Sequence, residues 1–191
     1  MLKIRNLQQK LLSDHWTKLT AVSYQQQEKD GHWSNQKRET YHNPDGVGVL
    51  PYDCQRKTVL FVRQFRVPPY LVNGTESVLE ACAGHIEKGE TAEQSILREA
   101  GEELGYQIRH LELVFNGFTS PGFSTEQLWL FLAQYCQQDH LSSGGGLVEE
   151  GENLEIIEMD FDEAVSLLDK KQINDMKTAL LINALRLRLM A

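Results

Sequence analysis

Cysteine is scarce in this chain of 191 residues. It occurs three times, at Cys54, Cys82 and Cys136, which is an odd number with wide spacing. Such an arrangement excludes a disulfide framework and a clustered zinc site, and it predicts reduced thiols. Because Cys82 lies in an apolar run, we predict that its side chain packs in the core.

Long apolar runs are also missing. No stretch reaches the roughly 20 apolar residues that a membrane-spanning helix needs. The opening residues Met1-Leu2-Lys3-Ile4-Arg5 are followed by polar residues and not by the apolar block of a signal peptide. We therefore predict a cytoplasmic protein without a membrane partner. The hydrophobic content of 41% is enough for one globular core with a small appendage.

An excess of positive charge is the third feature that the chain lacks. It carries 19 Lys and Arg residues against 27 Asp and Glu residues, for a formal net charge of −8. This balance argues against a nucleic-acid partner, because binding to a phosphate backbone depends on neutralising it with Lys and Arg. An anionic small-molecule substrate would need cations that are placed locally.

One dense stretch, residues 84–106, organises the rest of the sequence. From position 91 it predicts a helix, with Thr91 as N-cap and Gln94 as its capping-box partner. Gly105 stands where a left-handed helix terminator belongs. At about 100° per residue, the helix presents one apolar face to the core, formed by Ile96, Ala100 and Leu104.

Three carboxylates, Glu99, Glu102 and Glu103, share the adjoining face of this helix. Like charges at such spacing each destabilise a helix by a few tenths of a kcal/mol, and only Arg98 is near in sequence to offset them. The cluster alone fits either a solvated acidic face or a site for a hard divalent cation such as Mg²⁺. The whole stretch has the spacing G-x5-E-x7-R-E-x-x-E-E-x-G, with seven fixed positions. A match to all seven arises by chance on the order of 10⁻⁸ times per register, so the spacing favours the cation site.

This spacing resembles the signature of the Nudix hydrolases. Every glycine and charged position of the signature matches, and Tyr106 is a mild departure in an apolar slot. The resemblance implies an α/β fold, the Nudix α/β/α sandwich, with a loop–helix–loop that holds Mg²⁺ against a diphosphate. It also implies that Arg98 and Glu90 have a structural role and stabilise the conformation of the loop–helix–loop. The metal ligands that it implies are the carbonyl of Ala83 and the carboxylates of Glu99, Glu103, Glu152 and, as a further ligand, Glu102.

Short segments outside the signature narrow the resemblance. Residues 63–66, 72–74, 80–84 and 120–122 and a Gly-rich loop are similar to the ADP-ribose and nucleoside-diphosphate-sugar pyrophosphatases, most closely the bacterial GDP-mannose pyrophosphatases. The resemblance implies Mg²⁺-dependent hydrolysis of GDP-mannose to GMP and mannose 1-phosphate. ADP-ribose or another nucleotide sugar is the alternative substrate. A binding module without activity is the third reading, although such modules usually lack the motif carboxylates.

The same resemblance implies roles for individual residues. The catalytic set is Glu99, Glu103 and Glu152, with Glu152 as the base. Because the loop is longer here and Gly151 replaces an acid, Glu149 and Glu150 stay open as alternatives. The residues that contact the substrate begin with Trp16, which lies against the nucleobase. The others are the arm residues Lys37, Arg38 and Glu39, and then Arg66, Ala83, Gly84, His85, Glu103, Glu126, Gly151, Glu152 and Lys177.

Residues 1–45 predict a small antiparallel β-sheet ahead of a Nudix domain at 46–191. Asp30-Gly31 is a hairpin signal between a strand at 19–24 and one at 32–41. Such a sheet is too small to bury its own core, so it must dock on something. From the residues alone it either folds back on its own domain or reaches across a two-fold axis. The resemblance implies the second arrangement, a homodimer that exchanges this arm.

The remaining predictions concern local structure. Residues 72–77 predict a loop. Arg66, before Pro68-Pro69, lies at a loop mouth, where it either binds phosphate or is an ordinary surface residue. Glu80 faces either the metal site or solvent, and the sequence does not decide. The glycines at 144–146 belong either to a loop that closes over a ligand or to a solvated acidic linker. In the two C-terminal helices we predict Asp162 and Asp175 as caps and the core positions Leu180, Leu181, Ala184, Leu185 and Leu187.

Overall fold

The computed structural model describes residues 3–147, 149 and 151–190. It divides into two compact units. The first comprises Met1–Asp45 together with Gly117–Gln127, and the second comprises Gly46–Asn116 together with Leu128–Ala191. The 117–127 segment therefore groups with the N-terminal strands and not with the sequence around it.

The first unit is a three-stranded antiparallel sheet. Its strands are β1 (Ile4–Asp14), β2 (Lys18–Gln27) and β3 (Trp33–His42), in the order β1-β2-β3. The predicted hairpin is confirmed, with Gly31 in the left-handed region at the turn. Strand β1 was not predicted, because its apolar residues do not alternate regularly and register shifts interrupt its pairing.

The segment 117–127 attaches to the end of β3 within this unit. The Tyr41 amide donates to the Phe123 carbonyl at 2.9 Å, and the Thr125 amide donates to the Tyr41 carbonyl at 3.0 Å. The rings of Tyr41 and Phe123 are stacked with centroids 5.8 Å apart. These contacts bring Glu126 into the same unit as β3.

The second unit is built on a mixed seven-stranded sheet. Its main path runs β10-β5-β4-β9-β8, with β6 paired to β5 and β7 paired to β4. Strands β4 and β9 are parallel, and β4 is antiparallel to β5 and β7. The strands are β4 (Gly46–Asp53), β5 (Thr58–Gln64), β6 (Val78–Glu80), β7 (Cys82–His85), β8 (Arg109–Phe118), β9 (Gln127–Gln134) and β10 (Glu155–Asp160).

Both faces of this sheet are apolar because its central strands carry apolar residues at consecutive positions. On β5, Leu60 and Val62 point into one core, and Val59 and Phe61 point into the other. The first core is covered by α2 (Ala92–Glu99), and the second by α3 (Phe161–Asp169) and α4 (Met176–Met190). This is the predicted α/β/α sandwich, and the predicted fold class is confirmed.

Some local predictions hold and others are wrong. Cys82 is fully buried in the first core, as predicted. The predicted loop at 72–77 begins only after residue 73, because the stretch around Pro68-Pro69 forms a helix, α1 (Val67–Asn73), in whose first turn proline is favoured. Asp160, not Asp162, caps α3. Leu187 is 70% exposed and lies outside the core.

Among residues 3–147, 149 and 151–190, no helix is both long enough and apolar enough to cross a membrane.

Candidate active site

The predicted motif helix is present, and its last turn is irregular. The Thr91 side chain accepts a hydrogen bond from the Gln94 backbone amide, and the Gln94 side chain accepts one from the Thr91 backbone amide. These two bonds form the capping box. The α-helix ends at Glu99 and continues as a π-helical turn, Ala100–Leu104, before Gly105 stops it in the left-handed conformation. Such π-turns are rare, and they recur at functional sites. Here the wider turn contains two of the three motif carboxylates.

The carboxylates of Glu99 and Glu103 are buried, with only 8% and 2% of each residue exposed. Glu103 accepts a hydrogen bond from the Ala83 amide at 3.0 Å, on strand β7. A Cβ atom at Gly84 would lie 1.9 Å from Oε1 of Glu99, so a side chain at this position would displace the Glu99 carboxylate. Strand β7 therefore packs directly against both carboxylates.

Burial perturbs both groups. Loss of solvation raises the pKa of Glu99 to about 7, and the charges of Glu102 and Glu152 act in the same direction, against the charge of Arg98. Loss of solvation likewise raises the pKa of Glu103 to about 7, although hydrogen bonds from Cys82 and Ala83 oppose it. Two neighbouring carboxylates in this state form a site in which a bound cation would be strongly stabilising.

Arg98 is the main cation among the motif acids. Its guanidinium donates to Glu90 at 3.1 and 3.2 Å, to Glu99 at 2.9 Å and to Glu102 at 3.0 Å. It also donates to the His85 carbonyl at 3.2 Å. The bond from Arg98 and a further one from Ser95 lower the pKa of Glu90 to about 2. Arg98 thus ties the loop before the helix to the helix, which fits the structural role expected for it and for Glu90.

The Gly-rich loop binds the end of the motif helix. The amides of Gly145 and Gly146 donate to the carbonyls of Glu103 and Glu102, at 2.9 and 3.2 Å. Both glycines have positive φ, and a Cβ at Gly146 would lie 2.4 Å from a carboxylate oxygen of Glu152. The Leu147 amide donates to that carboxylate at 2.9 Å. These contacts show a loop that is packed on the motif helix and is not a solvated linker, and its closure over a ligand stays a prediction.

The loop brings Glu152 into electrostatic range of the buried pair, since its charge raises the pKa of both Glu99 and Glu103. Glu149 is exposed, and Gly151 adopts a left-handed conformation with open space around its Cα. Glu150 lies outside the described residues.

A second polar cluster lies in the same unit, around Glu80. Its carboxylate is buried and accepts from Arg66, at 2.8 and 3.2 Å, and from Lys177. Glu80 therefore does not face solvent, so that orientation is wrong, and the orientation towards the metal site stays a prediction. No sequence signal links it to partners 14 and 97 residues away.

The other predicted substrate contacts belong to the first unit. Trp16 is 90% exposed, in the bend between β1 and β2. Lys37, Arg38 and Glu39 are exposed consecutive residues of β3, so Arg38 points to the opposite face of the sheet from the other two. Glu126 accepts from the Thr119 hydroxyl at 2.7 Å. These residues lie in a unit separate from the motif carboxylates, and their roles in binding stay predictions.

Comparison with known proteins decides the family. The NUDIX domain model matches residues 42–179, and that match covers most of the chain. The chain belongs to the Nudix family. A second model, the GDP-mannose pyrophosphatase NudK N-terminal domain, matches residues 3–41. The predicted membership of the Nudix hydrolases, and with it the prediction of an enzyme, is confirmed.

Relatives of this Nudix protein match over nearly its whole length. A GDP-mannose pyrophosphatase of Pectobacterium atrosepticum is 40% identical over 178 residues, or 92% of this chain and 90% of that protein. One from Cronobacter sakazakii is 39% identical over 189 residues, or 98% and 97%. A crystal structure of an ADP compounds hydrolase superposes with a TM-score of 0.74 at 18% identity, covering 99% of this chain and 94% of that one. It supports the fold.

Nudix hydrolases generally use divalent metal ions, and the donor set of this chain fits one. Among the described residues, no three His, Cys, Asp or Glu side chains are already gathered into a metal cage. The buried pair nevertheless offers carboxylate oxygens to a cation. Arg98 pairs with Glu99, whereas no salt bridge to Glu103 is formed among the described residues, so the charge of Glu103 is the less compensated of the two. A hard cation with oxygen ligands suits that arrangement.

This fit predicts how the stability of the metal-free protein depends on pH. A carboxylate whose pKa is raised from 4.5 to about 7 stabilises the fold below pH 4.5 and loses that contribution as the pH rises through 7. Together the two coupled carboxylates should then cost on the order of 3 kcal/mol at pH 8. We expect the melting temperature in chelator to be lower at pH 8 than at pH 5, by on the order of 10 °C.

Thermal melts by circular dichroism would measure this difference, and Mg²⁺ should raise the melting temperature far more at pH 8 than at pH 5. The Glu103→Gln variant is the control, because it removes one of the two titrating groups and should flatten the profile. Equal melting temperatures at both pH values in chelator would contradict the expectation.

Proposed function

We propose that this protein hydrolyses the diphosphate bond of a nucleoside diphosphate sugar, with Mg²⁺ as the metal and GDP-mannose as the substrate. The products would be GMP and mannose 1-phosphate. The observation that carries the proposal is the near full-length similarity to GDP-mannose pyrophosphatases, which includes the separate N-terminal match at residues 3–41. The intact set of motif carboxylates supports a catalyst over a module that only binds.

The motif residues would hold the metal. Glu99 and Glu103 would be the principal ligands, Glu102 and Glu152 would be further carboxylate ligands, and the carbonyl of Ala83 would be a backbone ligand. A bound divalent cation would neutralise the diphosphate oxygens and acidify a bound water. The burial of Glu99 and Glu103 supports this assignment, because solvated carboxylates would bind a cation less strongly.

The remaining side chains would handle the water and the anionic substrate. Glu152 would accept a proton from the attacking water, and its contact with the Leu147 amide supports a fixed orientation. Arg66 and Lys177 would bind the oxygens of the diphosphate. Gly84, His85 and Gly151 would contact the substrate through the backbone, as the family resemblance implies. No covalent intermediate is needed for this hydrolysis.

The first unit would supply the rest of the substrate site in a homodimer. Trp16 would stack on the base, and Lys37, Arg38, Glu39 and Glu126 would contact the nucleotide sugar. The exposed side chains of Ile4, Leu7 and Leu11 on β1 support an arm that packs on a second subunit, because a lone three-stranded sheet cannot bury them. The three free cysteines fit the cytoplasmic location predicted from sequence.

A panel of nucleotide sugars tests the proposed function. Purified protein with Mg²⁺ should release GMP from GDP-mannose with a higher kcat/KM than it shows for ADP-ribose, ADP-glucose or UDP-glucose. A preference for ADP-ribose would replace the substrate and keep the enzyme class. Tight binding of a nucleotide sugar with no release of monophosphate would identify a binding module and overturn the proposal.

Sedimentation tests the dimer. At assay concentration the protein should sediment as a species of twice the chain mass of 21.8 kDa. Truncation before Gly46 should remove both the dimer and the activity, since Trp16 and the β3 contacts would be lost. A fully active monomer of the intact chain would contradict the exchanged arm.

A further inference from the structure

Glu80 is a buried carboxylate that has no role in the proposed reaction. It is the last residue of β6, and only 4% of its surface is exposed. Burying a carboxylate is costly unless it is paired and hydrogen-bonded. Oε1 accepts from Nε of Arg66 at 2.8 Å, and Oε2 accepts from Nη2 of Arg66 at 3.2 Å and from the ammonium group of Lys177. One carboxylate thus holds two cations together.

The two cations come from distant parts of the chain. Arg66 is the N-cap residue of α1, and Lys177 lies in the first turn of α4. Two positive groups this close would repel each other, and the shared carboxylate is what makes their proximity favourable. Asp175, 3.0 Å from Lys177, contributes a second negative charge on that side.

The backbone around Glu80 fixes the geometry of this pair. Ala81 lies between β6 and β7, and its amide donates to the hydroxyl of Thr178 at 2.7 Å. Thr178 is fully buried, and its amide donates to Asp175 at 2.9 Å. Glu80 is adjacent to Ala81, and Lys177 is adjacent to Thr178. The Ala81–Thr178 hydrogen bond therefore fixes the position of the carboxylate relative to the ammonium group.

The pair also lies beside the motif carboxylates. Only Ala81 and Cys82 separate Glu80 from Ala83, whose amide binds Glu103. Burial acts to lower the pKa of Arg66, but the hydrogen bond that Arg66 donates to Glu80 and the charges of Glu80 and Glu103 raise it above its ordinary value. The charge of Glu103 therefore acts on the guanidinium. Arg66 remains 44% exposed in its side chain, so it can still donate to a ligand while bound to Glu80.

We propose that Glu80 is a positioning residue, which holds Arg66 and Lys177 as one rigid cationic clamp for the diphosphate of the substrate. This inference rests on the proposed function, in which both cations contact the diphosphate. Glu80 touches neither substrate nor metal in this arrangement and acts only through the two cations. Preorganised donors bind an anion more tightly because less side-chain freedom is lost on binding.

The test measures binding of inorganic pyrophosphate, a diphosphate without base or sugar, by calorimetry at saturating Mg²⁺. Glu80→Gln keeps the shape of the side chain but removes the negative charge that Arg66 and Lys177 share. Its amide group would then face a cation. We expect about a tenfold or greater loss of pyrophosphate affinity, with an equal rise in KM for the nucleotide sugar and kcat within about threefold of wild type. We expect KM to rise and kcat to change little because the clamp would bind the diphosphate in both the ground state and the transition state. The diphosphate is anionic before and during the reaction.

Glu155→Gln is the matched control. Glu155 forms an exposed salt bridge of 3.1 Å with Arg63 on the neighbouring strand, and its loss should leave pyrophosphate affinity unchanged. In an Arg66→Gln background, Glu80→Gln should cost less than it does alone, because the two residues act as one unit. Unchanged affinity in Glu80→Gln, full additivity with Arg66→Gln, or an equal loss in Glu155→Gln would each overturn the inference.

Glu80→Asp covers the case in which Glu80→Gln does not fold. It keeps the charge but shortens the reach by one methylene, so it should fold and bind pyrophosphate several-fold more weakly than wild type; wild-type affinity would overturn the inference. Pyrophosphate binding and nucleotide-sugar turnover are separate measurements. A wild-type protein that binds pyrophosphate through this clamp but cleaves no nucleotide sugar would refute the proposed function alone, and one that cleaves without needing Glu80 would refute the clamp alone.

Discussion

Replacing Glu103 with glutamine should lower turnover by about 10³-fold, the rate equivalent of about 4 kcal/mol, and leave the fold intact. Glutamine is isosteric with glutamate, and its side-chain oxygen can still accept the bond that the Ala83 amide gives to Glu103. The change removes a negative charge from a site where only 2% of the residue is exposed. A cation held by that charge would be lost, while the packing around it would not change.

Glu93→Gln is the control for this experiment. Glu93 lies in the first turn of the same helix and is exposed, so its loss removes the same net charge without touching the site. Activity should be assayed over a range of Mg²⁺ concentrations, since a weakened metal site is partly rescued by excess metal. Near-normal rates for Glu103→Gln at saturating Mg²⁺ would show that Glu103 is not a metal ligand.

The motif helix was the most predictable part of the fold because its limits are set by local chemistry. The capping box of Thr91 and Gln94 and the left-handed Gly105 both follow from neighbouring residues alone. The π-turn at Ala100–Leu104 was not predicted, because the same residues are compatible with a regular α-helix. Hydrogen bonds from the loop glycines to the last carbonyls hold that turn, and their positions are a property of the tertiary structure.

The second cluster shows where sequence reasoning ended. The resemblance marked Arg66 and Lys177 as substrate contacts, and it gave no reason for them to meet. Their partner Glu80 lies on a strand between them and had two orientations open to it. Its actual contacts depend on β6 and the start of α4 being packed together, which the Ala81–Thr178 bond reflects. Neither periodicity nor spacing contains that information, since the partners are 97 residues apart.

The N-terminal sheet illustrates a different failure. Strand β1 spans 11 residues, yet alternation is lost across two register shifts, and its apolar residues are exposed within the chain. Periodicity predicts strands by the contrast between a buried and a solvated face. The two register shifts break the alternation of apolar and polar residues in β1, so periodicity alone does not mark this segment as a strand.

Replacing Glu152 with glutamine should reduce turnover by about 10²- to 10⁴-fold, the usual contribution of a general base. Glutamine keeps the acceptor for the Leu147 amide, so the loop should stay in place, but it cannot take a proton from water. The loss should fall on kcat, and the rise of kcat with pH that a base produces should disappear. Mg²⁺ dependence should shift less than in Glu103→Gln, because Glu152 is less buried than Glu103.

The matched comparisons are Glu149→Gln and Glu150→Gln, which remove the same charge from the same loop. Glu149 is exposed, whereas the charge of Glu152 is felt by both buried carboxylates, and the base must lie close to the metal and its water. We therefore expect Glu149→Gln to stay within about threefold of wild type, the scatter of an exposed loop substitution. A larger loss of kcat in either comparison variant than in Glu152→Gln would move the role of base to that residue, since a general base is defined by the proton that it accepts and not by its place in a motif.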